Sequence, residues 1–116
     1  MKLFIPYDPP NWNKYINLER TNKYIANNLK QKEKRIVKQA MKGKKYTGKY
    51  PVEIIFKPYF KDRRRDLDNY RVKGLLDGLV SCDVLENDNL RHIQRIVLEP
   101  IFTKEVGVEV EIREMK

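Results

Sequence analysis

Cysteine and histidine are all but absent from the chain, represented only by Cys82 and His92. A lone thiol cannot close an internal disulfide, which fits a reducing compartment. One thiol and one imidazole also fall short of the four ligands of a structural zinc site. No apolar run reaches the length that crosses a bilayer, so no membrane partner is expected. Pro6 interrupts the N-terminal Met1–Ile5 too early for the apolar region of a signal peptide, and the expected location is cytoplasmic. Glycine and proline are too few and too scattered to form a linker, and no repeat or low-complexity tract is present. The 116 residues therefore read as one domain, 1–116, with a single modest core.

What the chain has in excess is positive charge, and it is unevenly placed. Residues 1–65 carry 18 Lys and Arg against 5 Asp and Glu, net +13, whereas residues 66–116 carry 7 against 11, net −4. A basic half marks a polyanion partner, and nucleic acid is the commonest one. The acidic half is equally informative, because phosphate repels carboxylates unless a cation sits between them.

In chain order, Lys2–Tyr7 reads as a first strand ended by Asp8-Pro9-Pro10, and Asn11–Tyr15 as a loop. A helix is expected from a cap at Thr21 or Asn22 to a stop at Gly43. Its apolar stripe is Tyr24, Ile25, Leu29, Ile36, Val37, Ala40 and Met41, and lysines crowd the other face and continue through Lys44 and Lys45. Residues 51–60 form a β-branched and aromatic strand in which Pro58 suggests an edge or bulge. A second helix is expected over Asn69–Ser81, burying Val72, Leu76 and Leu79. Strands follow at His92–Leu98 and Val106–Ile112, the last alternating cleanly. The order β-α-β-α-β-β predicts an α+β domain with a four-stranded mixed sheet and two main helices.

The densest chemistry lies in Arg63-Arg64-Arg65-Asp66-Leu67-Asp68-Asn69, followed by Lys73, Asp77 and Asp88. Phosphodiester hydrolysis needs an aligned water and a stabilised leaving oxygen, which divalent ions supply. Mg2+ takes oxygen ligands, so a few carboxylates suffice to hold it. In an extended segment Asp66 and Asp68 point to one face. The second helix and a turn are expected to bring Asp88 back to the same end of the sheet. Asn69 offers an amide oxygen, Lys73 a point charge for developing negative charge, and Arg63, Arg64 and Arg65 contacts to flanking phosphates. Each feature also has an everyday use. Asp-x-Asp before a helix is a common cap, Lys73 and Asp77 make an ordinary surface pair, and Asp88 suits a turn.

Taken together, Arg65-Asp66-Leu67-Asp68-Asn69, then Lys73, Asp77 and Leu79, then Val84-Leu85 and Asp88, resemble the RusA family of Holliday junction resolvases. The core of that family reads D-x-D-N, a Lys, an Asp four residues later, and a D-D pair after a short turn. Pro9-Pro10-Asn11-Trp12-Asn13 is similar to the segment after the family's first strand. Two positions depart from the pattern. Lys73 stands four residues beyond Asn69 where three is common, and the D-D pair is Asn87-Asp88. Inside a regular helix an added residue would rotate Lys73 by about 100°, so it is expected to be absorbed before the helix begins.

The resemblance implies a RusA-like fold and a homodimeric endonuclease, often prophage-encoded, that uses Mg2+ (or Mn2+ in its place). It implies four-way junction DNA as partner and paired symmetric nicks as the reaction. Asp66, Asp68 and Asp88 would be the catalytic, metal-holding carboxylates and Lys73 the essential lysine. Asn69 would support them, and Arg63, Arg64, Arg65, Lys44 and Lys45 would bind DNA. The alternatives are a DNA-binding protein without catalysis and a metal nuclease for flaps or other branched substrates.

Overall fold

The computed structural model describes residues 1–115. Strand β1 (Lys2–Ile5) leads into two consecutive helices, α1 (Trp12–Thr21) and α2 (Lys23–Met41). Strand β2 (Val52–Phe60) is followed by a 3-10 turn (Leu67–Asn69) and α3 (Lys73–Ser81). Strands β3 (Ile93–Leu98), β4 (Ile101–Phe102) and β5 (Val108–Glu114) complete the sheet. The α+β class holds, with one more helix and one more short strand than the sequence pattern predicts.

The extra helix is α1, which occupies the segment expected to be a loop. Its signal is Asn11, whose side chain accepts from the Lys14 backbone N–H at 2.9 Å and satisfies one of the orphan donors of the first turn. Asn22 then caps α2 by accepting from the N–H groups of Tyr24 and Ile25. At the other end, Lys42 and Gly43 both take positive φ, the left-handed stop expected there. The buried face of α2 is Ala26, Glu33, Val37 and Met41, whereas Tyr24 is 85% exposed and Ile25 is exposed as well. The predicted stripe is therefore rotated, because a carboxylate sits where an apolar residue was expected.

The strand order is β1-β5-β2-β3, with β4 pairing β2 beyond the end of β3. β5 runs antiparallel to both β1 and β2, and β3 and β4 run parallel to β2. β2 is thus central, not an edge. Pro58 is tolerated there because it falls between the rungs Phe56–Leu98 and Tyr59–Ile101, where β3 has ended and β4 has not begun. Val108, Val110 and Ile112 point into the core as the alternation predicts, while Val106 lies outside the strand and is exposed.

The second helix begins at Lys73, not Asn69. Tyr70, Arg71 and Val72 form a connector that separates the 3-10 turn from α3, so Lys73 is the first residue of the helix. Leu75, Leu76 and Leu79 of α3 are buried against the sheet, with Val72 and Val80 partly covered. Its glycines face α2. A Cβ on Gly78 would sit 2.6 Å from Val37 Cγ2 and 2.8 Å from Val37 Cβ. The two helices approach closely only because that atom is missing. Gly78→Ala should cost about 1–3 kcal/mol through overpacking, read as a lower urea midpoint with an unchanged slope.

Candidate active site

The predicted residues fall at two ends of the molecule. α3 returns along β2, so β3 starts where β2 starts, with Val52 beside Ile93. The 66–69 turn follows the far end of β2, where Tyr70 packs edge-on against Phe60 at 5.9 Å between ring centroids. The segment before β3 lies at the near end, where the Glu86 N–H donates to Tyr50 Oη and the Val52 N–H donates to His92 O. The nine residues of β2 put these ends roughly 25 Å apart at about 3.3 Å per residue. Asp66 and Asp68 therefore share one turn, and Asp88 of the same chain does not join them. The expectation that the second helix returns Asp88 to that end is corrected here. A single parallel crossover brings the chain back to the start of the strand, not to its end.

At the far end the backbone leaves Phe60 through a fan of arginines. The Arg63 guanidinium lies 5.2 Å from the Phe102 ring centroid and that of Arg65 lies 4.5 Å from the Phe60 ring. Arg65 Nη1 donates to Asp8 Oδ2 at 2.8 Å. Arg64 donates to Asp62 through Nε at 3.0 Å and Nη2 at 2.7 Å, and its backbone N–H donates to the other Asp62 oxygen. These bonds hold the Asp62 carboxyl below the usual carboxylate range. The pair thus persists to lower pH than an unpaired carboxylate would allow and is lost as the Asp62 carboxyl takes up its proton.

The 3-10 turn carries Asp66 and Asp68 outward, both exposed. Asp66 makes no capping bond with its side chain, and Val72, at the cap position of α3, makes none either. The everyday capping use is thus not what places these carboxylates. A cavity of about 230 Å3 opens beside them, lined by Asn11, Arg64, Arg65, Asp66 and Asn69. Asn11, the cap of α1, is a site residue that the sequence analysis did not single out. Lys73 Nζ donates to Asp77 Oδ1 at 3.1 Å on the exposed first turn of α3.

At the near end Asn87, not Asp88, performs the turn chemistry. Its Oδ1 accepts from the N–H groups of Asp88 and Asn89. His92 Nδ1 lies 2.6 Å from Asn89 Oδ1, and its ring packs on Tyr50. Lys44 and Lys45 belong to this end, since the Tyr46 N–H donates to Val84 O at 2.9 Å. The arginines and these lysines therefore serve separate parts of the surface.

Between the helices and the chain that follows β1 lies a pair that the residue pattern hid. Arg71 and Glu33 are 2% and 0% exposed, and Arg71 Nη2 donates to both Glu33 oxygens at 2.6 Å. Arg71 Nε donates to Pro10 O at 3.1 Å, its guanidinium lies 4.4 Å from the Tyr15 ring, and Tyr7 Oη donates to Glu33 Oε2 at 2.9 Å. Burial and the adjacent Glu33 charge push the Tyr7 hydroxyl well above its usual range. The available signal was a lone Glu four residues before the buried Val37, and an Arg between Tyr70 and Val72.

The oxygen donors at the 66–69 turn suit a hard divalent cation. Among the described residues, however, no group of three His, Cys, Asp or Glu side chains is placed to hold a metal ion. The 66–69 turn supplies two exposed carboxylates and neighbouring amides. No helix is long and apolar enough to cross a membrane.

Residues 6–113 match the family described as Endodeoxyribonuclease RusA, and no curated protein matches the chain. Removing the carboxylate that occupies Arg64 is expected to free a guanidinium for phosphate. Asp62→Asn should tighten DNA binding at low salt and steepen its salt dependence by about one released counterion, with unchanged melting, as measured by anisotropy titrations.

Proposed function

The chain belongs to the RusA family of endodeoxyribonucleases, which act on Holliday junctions, and on that premise we propose that it works as a two-fold pair with shared active sites. In each site, Asp66 and Asp68 of one copy and Asp88 of the other would hold Mg2+, and the pair would nick two strands of a four-way junction symmetrically. The observation that carries this reading is the placement of the two carboxylate groups at opposite ends of β2. One chain cannot complete the ligand set, and a two-fold copy running the other way supplies what is missing at both ends.

The free edge of β3 supports such an arrangement. Ile96 faces the core side of the sheet yet is 45% exposed, because no further strand covers that edge. Antiparallel pairing of two such edges would send the Asp88 end of one copy towards the 66–69 end of the other. The junction has near two-fold symmetry, so two equivalent sites match two equivalent strands.

When bound, a divalent ion supplies a more acidic attacking water and charge neutralisation at the phosphorus. The chain's own groups do the rest. Arg63, Arg64 and Arg65 grip the phosphates beside the scissile bond, exchanging Asp62 and Asp8 for phosphate oxygens. Lys73 exchanges Asp77 for the negative charge that develops on the reacting phosphate. Asn69 orients the aspartates beside it. Lys44 and Lys45, near Asp88, hold backbone farther along an arm.

The test is complementation between inactive variants. Asp68→Asn and Asp88→Asn, each alone, should lose Mg2+-dependent cleavage of a synthetic four-way junction by roughly a hundredfold or more. Mixed in equal amounts and allowed to exchange, they should recover nicking to about a quarter of the parent, because each mixed pair regains one intact site. The recovered product should be a single nick, not a paired cut. A mixture as inactive as its components would sink the shared-site reading.

A further inference from the structure

The buried Glu33–Arg71 pair has no place in the chemistry above, yet the segments around the 66–69 turn converge on it. Arg71 stands two residues after Asn69 and two before Lys73, inside the connector between the 3-10 turn and α3. Glu33 projects from the middle of α2, the helix whose opposite face carries the lysines. Tyr7 and Pro10 bring in the chain that follows β1, and Tyr15 brings in α1, whose cap Asn11 lines the cavity beside Asp66. At Gly74 an added Cβ would lie 2.5 Å from Glu33 Oε1 and 2.9 Å from Arg71 Nη1. The first turn of α3 is thus seated directly on the pair.

We propose that Glu33 and Arg71, braced by Tyr7, are positioning residues for cleavage that fix the Asp66–Asn69 turn relative to Lys73 and the basic helix. The inference takes the site of the preceding subsection as its premise. Stability alone does not account for the pair. Removing two charges from water costs about as much as their attraction returns, and apolar replacements of similar volume often do as well. What such a replacement lacks is direction. The guanidinium fork fixes Arg71 against three acceptor oxygens and one ring, which an aliphatic side chain cannot do. A loss of orientation at Arg71 passes to the carboxylates on one side and to Lys73 on the other. A shift of about 1 Å at a reacting centre costs on the order of a hundredfold in rate.

The experiment replaces the pair as a unit. Glu33→Leu with Arg71→Met preserves volume and leaves no unpaired buried charge. The double variant is expected to melt within a few degrees of the parent and to bind the junction equally well in EDTA. Its single-turnover cleavage should fall roughly ten- to a hundredfold, with a raised Mg2+ half-saturation, as when a supporting contact to a ligand is lost. A folded double variant with parental cleavage rate and Mg2+ half-saturation overturns the proposal, since a purely structural pair would behave that way. Should the double variant fail to fold, Tyr7→Phe decides. That change removes one bond to Glu33 and is expected to raise the Mg2+ half-saturation severalfold; an unchanged half-saturation overturns the proposal. Asp68→Asn, run alongside, separates the two levels. If it cleaves like the parent, the site itself is misassigned. If it is dead while the double variant cleaves at the parental rate with the parental Mg2+ half-saturation, only the positioning role fails.

Discussion

Parallel strands cannot be joined by a hairpin, and that constraint organises this molecule. To place β3 parallel to β2, the chain must travel back along the sheet through α3, so whatever follows β2 and whatever precedes β3 finish a strand's length apart. The carboxylates at 66 and 68 belong to the first group and the one at 88 to the second. The sheet that gives the domain its core is also what divides its acidic residues. Under the shared-site proposal, a second copy answers both this division and a substrate with two-fold symmetry.

The same crossover explains how so small a core holds an exposed acidic turn. α3 needs a close approach to α2, and Gly74 and Gly78 allow it by presenting no side chain to Glu33 and Val37. The turn before α3 has no buried residue of its own. It is held from outside, by Tyr70 against Phe60 on the sheet and by Arg71 against Glu33 between the helices. Exposure leaves its carboxylates open to solvent and phosphate, while the residue that follows Tyr70 is among the most deeply buried in the chain.

Charge is arranged with comparable economy. Arg64 and Arg65 rest on Asp62 and Asp8, and Lys73 rests on Asp77, all in exposed pairs that contribute little to stability and are easily exchanged for phosphate. Among the described residues the one deeply buried pair is Glu33–Arg71, shielded from solvent. On the proposed reading, the exposed pairs keep binding groups in waiting and the buried pair keeps geometry.

Much of this was legible in the residues. The α+β class, the core strands, the Asn22 cap and the Gly43 stop all follow from local chemistry, because caps, left-handed stops and period-two alternation act over a few residues. So did the family, whose motif is a short string of functional side chains. Two things misled. α1 was hidden because Asn11 and its flanking prolines resemble loop chemistry as much as helix-start chemistry. The stripe on α2 was misplaced because a buried carboxylate is invisible to an apolar pattern until its arginine, 38 positions later, is known. By itself the sequence determined the family and most of the local elements on which the candidate residues sit. Only the tertiary structure decided which of them meet, since strand direction and the pairing of distant charges depend on contacts between segments that no local spacing encodes.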